Sequence, residues 1–202
     1  LLAIIFFFRK ELFDLKNNQK LLSLMIFGSI PLILFGYILY KTELIYVLRD
    51  IKIIAWTTLI FGIILYFADK SRFDKKISSN LNLKVILYIG LFQILALIPG
   101  VSRAGITITA ARIFKFNRFD SSKISFLLAI PALVGASVLS LKDIFKQSFD
   151  ISYLSIIAII CSFLFSYFTV KFFLNYINKF SLNIFVIYRI IVAIILFKIV
   201  YF

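Results

Sequence analysis

Residues Val85 to Arg112 read VILYIGLFQILALIPGVSRAGITITAAR, and the course of the whole chain turns on them. The run is apolar as far as Ile98, is broken by Pro99-Gly100 and meets Arg103 almost at once. As a helix, Val85 to Ile98 would reach only about 21 Å, short of the roughly 30 Å hydrocarbon core of a bilayer. Pro99 ends that helix, because it lacks an N–H and constrains the residue before it. The flanking charges then decide the shape. Loop Lys70–Lys84 carries five basic residues and loop Arg112–Lys123 four, as does Arg9–Lys20. The opposite loops, Lys41–Lys52 and Lys142–Asp150, have fewer positives, largely balanced by Glu43, Asp50, Asp143 and Asp150. The positive-inside rule places the first three on the cytoplasmic side. A segment with both ends on one side has not crossed, so 85–112 is predicted to be a re-entrant hairpin of two half-helices. Irregular backbone at that depth survives only when buried in protein or lining a wet cavity. The alternative is a kinked full span, which would reverse the sidedness of everything downstream.

Outward from the hairpin, apolar runs of spanning length are expected at 21–40, 53–68, 124–141, 151–177 and 182–202, with a partial span at 1–8. Three full spans after the hairpin put the C-terminus on the side opposite the basic loops. Pro31 and Pro131 fall inside spans and read as kinks. The stub Leu1–Phe8 precedes Arg9 and Lys10, the reverse of a signal peptide's order, and the only methionine is Met25. The chain therefore reads as lacking the beginning of its first helix.

Composition agrees with lipid as the solvent. The 202 residues are 62% hydrophobic and 16% charged, with a mean hydropathy of +1.05. Soluble domains average about 45–50% apolar and 25% charged, and a water-facing surface would still need its polar complement. The net charge of +14 is accordingly read as loop charge facing anionic head groups, with no nucleic-acid partner expected. Cys161 is alone, so no disulfide framework exists within one chain, and there is no histidine.

The loop Ile98–Thr109 suits an anion. Gly100 permits backbone geometry that a Cβ would block and allows close approach of a ligand. Ser102 is a suitable N-cap for the outgoing half-helix, whose free amides and partial positive charge favour a phosphate. Arg103 offers a planar fork of donors, and Thr107 lies one turn on. A mid-bilayer arginine costs roughly 3 kcal/mol on insertion scales, and no acidic residue falls inside an apolar span. An external anion or a missing segment offsets that cost; the alternative is snorkelling of Arg103 to the cytoplasmic face. Gln93, in the incoming half-helix, either faces the loop or bonds a neighbouring helix. Arg189 either reaches the surface or lines the cavity. Ser125, Ser137, Ser162 and Ser166 read as helix-packing residues, and Arg112, Lys115 and Arg118 as determinants of topology.

With Pro99, Gly100, Ser102, Arg103, Gly105 and Thr107, this loop resembles the Pro-Gly-x-Ser-Arg-Ser-Gly-x-Thr motif of the undecaprenyl-diphosphate phosphatases, the bacitracin-resistance membrane phosphatases. Ala104 stands where that motif has its third Ser. The likeness continues through Phe92-Gln93, Ser125–Pro131 and Ile187-Tyr188-Arg189, and so covers essentially the whole chain. It implies an all-α polytopic bundle of two inverted repeats, each a re-entrant hairpin followed by three spans, in a bacterial plasma membrane, with a cavity near the outer face. It implies hydrolysis of a polyprenyl diphosphate, recycling the lipid carrier of cell-wall synthesis. By the same likeness Arg103 binds the diphosphate, Ser102 and Thr107 are its hydrogen-bonding or nucleophilic partners, and Gly100, Gly105 and Gln93 are substrate-binding candidates. A divalent cation, Mg or Ca, is implied, held by a glutamate- and histidine-bearing N-terminal hairpin that would precede Leu1. The expectation is that this hairpin is missing and that the 202-residue chain alone does not hydrolyse the substrate. Two rival readings stand beside this one: a transporter or flippase for an anionic lipid or phosphate compound, and a non-catalytic remnant. A homo-oligomer is left open.

Overall fold

The computed structural model describes residues 1–42, 47–71, 73–144 and 153–201. Glu43, Asp150, the start of the expected span at Ile151 and Phe202 lie outside them. The described chain is helical. A short α1 (Leu2–Phe7) and α2 (Arg9–Phe13) lead into α3 (Leu15–Thr42), and α4 (Ile51–Asp69) follows. The one-turn α5 (Ile77–Asn80) precedes α6 (Leu83–Ile94), which tightens into a 3-10 turn at Leu95–Leu97. Then come α7 (Arg103–Ile113), α8 (Arg118–Ile144), α9 (Tyr153–Lys179) and α10 (Asn183–Tyr201). Within α3, α4, α8, α9 and α10 lie five stretches long and apolar enough to cross a membrane; the protein is a polytopic helical membrane protein. The helices overrun the apolar runs, since polar residues at the run ends continue the helix: α3 begins at Leu15 and α8 at Arg118.

Local chemistry sets where several helices start. Asp50 caps α4 by accepting from the Lys52 amide at 2.8 Å, and Asn82 caps α6 by accepting from Val85 at 3.0 Å. Pro31 and Pro131 each lie within a continuous helix, α3 and α8.

One end of the bundle is basic and densely cross-tied. The end of α4, the end of α7 and the starts of α8 and α10 meet at Asp69, which is buried. Its carboxylate lies 2.8 Å from Arg118 Nε and 3.2 Å from Arg112 Nε, and it accepts from the Leu182 amide at 3.0 Å. Arg112 is buried too, donating from Nη1 to the Phe116 carbonyl at 2.8 Å and from Nη2 to that of Ser71. The sequence reading treated Arg112 and Arg118 as loop charges only. Burial there is tolerable because Asp69 supplies the countercharge. The two ends of segment 75–116 are also tied together: Lys75 and Asn117 donate amides to Lys115 and Lys75 carbonyls at 3.2 and 3.0 Å, and the Ile77 amide reaches Asp120 Oδ2 at 3.3 Å. The stretches before α6 and after α7 thus lie together at the basic pole.

Above the pole, α6 packs on α3, α7 lies between α4 and α8, and α10 packs on α4. The α3–α6 crossing is close because it is built on two glycines. A Cβ added to Gly90 would overlap the Gly28 carbonyl oxygen, and one on Gly28 would stand 2.7 Å from Ile86. The main core lies beside this crossing, around Ile86, Ile89, Ile124, Leu127 and Leu128. Gly90→Val forces the two helices apart, and the expected loss is about 1–3 kcal/mol or more. Thermal unfolding in detergent measures it; a midpoint equal to wild type would refute the close crossing.

Candidate phosphate-binding site

The break between α6 and α7 is a tight turn with a residue to spare. The Val101 amide donates to the Ile98 carbonyl at 3.3 Å, with Pro99 and Gly100 at the corners and Gly100 at φ +88°. This is a type II turn, for which Pro at the second position and Gly at the third are the preferred residues. A Cβ on Gly100 would overlap Thr57 Oγ1 and stand 2.7 Å from the Ile54 carbonyl oxygen. The turn is therefore pressed onto α4. Its outward carbonyls are each taken up: Thr57 Oγ1 donates to Pro99 O at 2.7 Å, and Thr58 Oγ1 to Gly100 O at 3.3 Å.

Ser102 follows at φ +65°, ψ +110°, a left-handed conformation costly for a residue with a Cβ. Its Oγ accepts from the Gly105 amide at 3.3 Å and so caps α7. The amides of Arg103 and Ala104, in the first turn, have no intrahelical acceptor by the geometry of a helix start. Ser102 and Ala104 are exposed, Arg103 and Gly105 half-buried, so this positive helix end is uncovered. The Ser102 hydroxyl uses its oxygen on the cap and keeps its proton available for an anion.

Arg103 Nη1 donates to the Ala129 carbonyl at a long 3.5 Å, and Arg103 makes no ion pair among the described residues. Ala129 lies eleven residues into α8 from Arg118, about 16 Å along the helix from the pole. The guanidinium is therefore directed into the bundle, not back to the basic surface. Thr107 is buried one turn below. Its Oγ1 donates to Arg103 O at 2.9 Å or Ala104 O at 3.2 Å, and lies 2.7 Å from Ser125 Oγ on α8. Thr107 thus supports the helix end from beneath while Ser102 faces outward. Gln93 is completely buried in the last turn of α6, and neither amide atom finds a partner among the described residues. The structure brings Gly100, Ser102, Arg103, Gly105 and Thr107 together and leaves Gln93 without a visible role.

Three residues escaped the sequence reading. Thr57 and Thr58 were unremarkable within an apolar span, although adjacent threonines there are a signal for a polar contact. Ser125 was assigned to packing, yet it bonds Thr107. Among the described residues no three or more His, Cys, Asp or Glu side chains lie together as a metal seat. The described residues therefore do not by themselves fit the divalent cation that the motif implies, and no step is derived through one.

Comparison with known proteins finds relatives over the length of this chain. A chain from Pelagibacter ubique (strain HTCC1062), named undecaprenyl-diphosphatase, is 75% identical over 202 residues, covering 100% of this chain and 79% of the relative. Proteins of the same name from Elusimicrobium minutum (strain Pei191) and Saccharophagus degradans are 40% and 35% identical, over 97% and 99% of this chain and 78% and 80% of theirs. These shares do not locate the unmatched fifth of each relative and give no support to the expected loss of an N-terminal hairpin. The family model described as bacitracin resistance protein BacA matches residues 1–195, and the chain belongs to that family.

Proposed function

We propose that this chain is an undecaprenyl-diphosphatase, removing the terminal phosphate of undecaprenyl diphosphate to leave undecaprenyl phosphate. One observation carries the reading: on a chain 75% identical to a protein of that name, an arginine with no ion pair among the described residues and an uncovered helix start share one half-buried turn. Transfer of a phosphoryl group spreads negative charge over three equatorial oxygens, and preorganised donors aimed there lower the barrier. Arg103 supplies a fork, the amides of Arg103 and Ala104 supply two donors, and the Ser102 hydroxyl a third kind. Gly100 and Gly105 keep the backbone bare of side chains on that side. Thr107 acts from below, through the carbonyl groups of the first turn.

The finer architecture follows the same reading. Segment 85–112 is a re-entrant hairpin: α6 and α7 are about 18 and 16 Å long by helical rise, too short to span singly, and the chain before α5 and after α7 is tied together at Lys75 and Phe116. The three long helices α8, α9 and α10 after it match one unit of an inverted repeat. The basic pole is cytoplasmic and the C-terminus outside, in a bacterial plasma membrane. The lipid tail of the substrate lies in the bilayer with its diphosphate at the turn.

The test is phosphate release from undecaprenyl diphosphate by the purified protein in detergent with Mg²⁺ or Ca²⁺. Turnover above a protein-free blank is expected. Saturable binding of the lipid without release would overturn hydrolysis.

A further inference from the structure

The turn that aims the phosphate site is not held by its own residues alone. Arg189, on α10, is 8% exposed. Its Nη2 donates to Gly100 O at 2.8 Å, and Nε and Nη2 also reach Thr58 O at 3.3 and 3.2 Å. Among the described residues no carboxylate pairs with it. The stem reaches the turn over Gly62, where an added Cβ would stand 3.2 Å from Arg189 Cβ. Its Nη1 lies 3.7 Å from where a Cβ on Gly105 would stand, beside the start of α7.

We propose that Arg189 is a positioning residue for the phosphate site, pinning the Gly100 carbonyl so that Ser102 and the first amides of α7 stay aimed at the substrate. This rests on the diphosphatase reading for its catalytic consequence, though not for the brace itself. The physical case has three parts. A buried guanidinium with no countercharge is expensive unless several acceptors satisfy it. Here the acceptors are two backbone carbonyls from different elements, one of them the corner of the strained turn. Ser102 at φ +65° persists only if its surroundings over-determine it, and its neighbour Gly100 is fixed by Arg189 from α10 and by Thr58 from α4. Without these donors the Gly100 carbonyl would be unsatisfied within the membrane, and the Gly100–Val101 peptide that leads into Ser102 would be free to reorient.

Two readouts separate the brace from the reaction. Hydrogen exchange in detergent, without substrate, reports segment 98–105. Arg189→Met, which keeps length but no donor, should speed exchange there while α3 and α8 exchange as in wild type. Kinetics with undecaprenyl diphosphate should show kcat falling about 100-fold, the scale of a 1 Å misplacement, with KM changed far less. Arg189→Lys should recover part of kcat, because an ammonium can serve one carbonyl but not the fork. Should Arg189→Met not fold, Thr58→Val removes a second donor to Gly100 O at constant shape and should speed exchange in the same segment. Unchanged exchange at 98–105 in a folded variant overturns the brace, as does an equal loss from Arg189→Lys and Arg189→Met. If exchange responds but wild type releases no phosphate, the brace stands and the diphosphatase reading falls.

Discussion

Arg103→Lys should lower phosphate release from undecaprenyl diphosphate by about 10²–10³-fold, the range seen when one preorganised transition-state donor is lost. Arg103→Ala should be no more than modestly worse. Lysine retains the positive charge, so the loss isolates the fork: two coplanar N–H groups matched to two phosphate oxygens. The structure makes the outcome sharp because Arg103 has so little else to do. The one described bond of its side chain, to Ala129 O, is long at 3.5 Å, and no carboxylate among the described residues pairs with it. Truncation therefore removes little packing or pairing, and stability should change far less than turnover. The check is kcat and KM by phosphate release, beside thermal unfolding of the same preparations. Half or more of wild-type kcat/KM in Arg103→Lys would exclude a direct phosphate contact.

The second large effect concerns assembly. Asp69→Asn should cost about 3–5 kcal/mol, the scale for breaking a buried pair and leaving a charge uncompensated. Arg112, with a side chain 1% exposed, keeps its carbonyl acceptors but loses its only countercharge among the described residues. Its Nε stands 3.2 Å from Oδ1 but off hydrogen-bonding angle, so the attraction there is ionic. An amide of the same shape cannot replace it. For about 200 residues such a loss lowers the unfolding midpoint by roughly 10 °C. Arg118→Gln is the contrast: that side chain is 29% exposed, so water screens it and the loss should be at most about 1 kcal/mol. Equal shifts for the two variants would sink the claim that Asp69 matters because it neutralises Arg112.

These expectations divide along the line between local and distant chemistry. The five long apolar helices were legible in hydrophobic runs of spanning length, even with Arg189 and Lys198 inside the last, because a bilayer of fixed thickness demands runs of that length. The turn at Pro99-Gly100 and the capping by Ser102 were legible as well, each being decided within about four residues. The burial of Arg112 was not. Its partner Asp69 lies 43 residues away on another helix, and in the sequence both look like ordinary loop charges. Arg189 was undecided between surface and cavity for the same reason: its acceptors at Thr58 and Gly100 are 131 and 89 residues distant. Gln93, expected either to face the loop or to bond a neighbouring helix, is buried with no partner for its amide among the described residues.

Sequence alone determined the solvent, the helical class and the capped Pro99-Gly100 turn, because hydrophobic run length, proline, glycine and an N-cap act on their own neighbourhood. Only the tertiary structure decided which buried cations are neutralised, at Asp69, and which are spent on carbonyl groups, at Gly100. The reason is dielectric: within a membrane a charge or an unpaired carbonyl is costly wherever it stands. Each must find a partner in three dimensions, and no spacing along the chain records which one it finds.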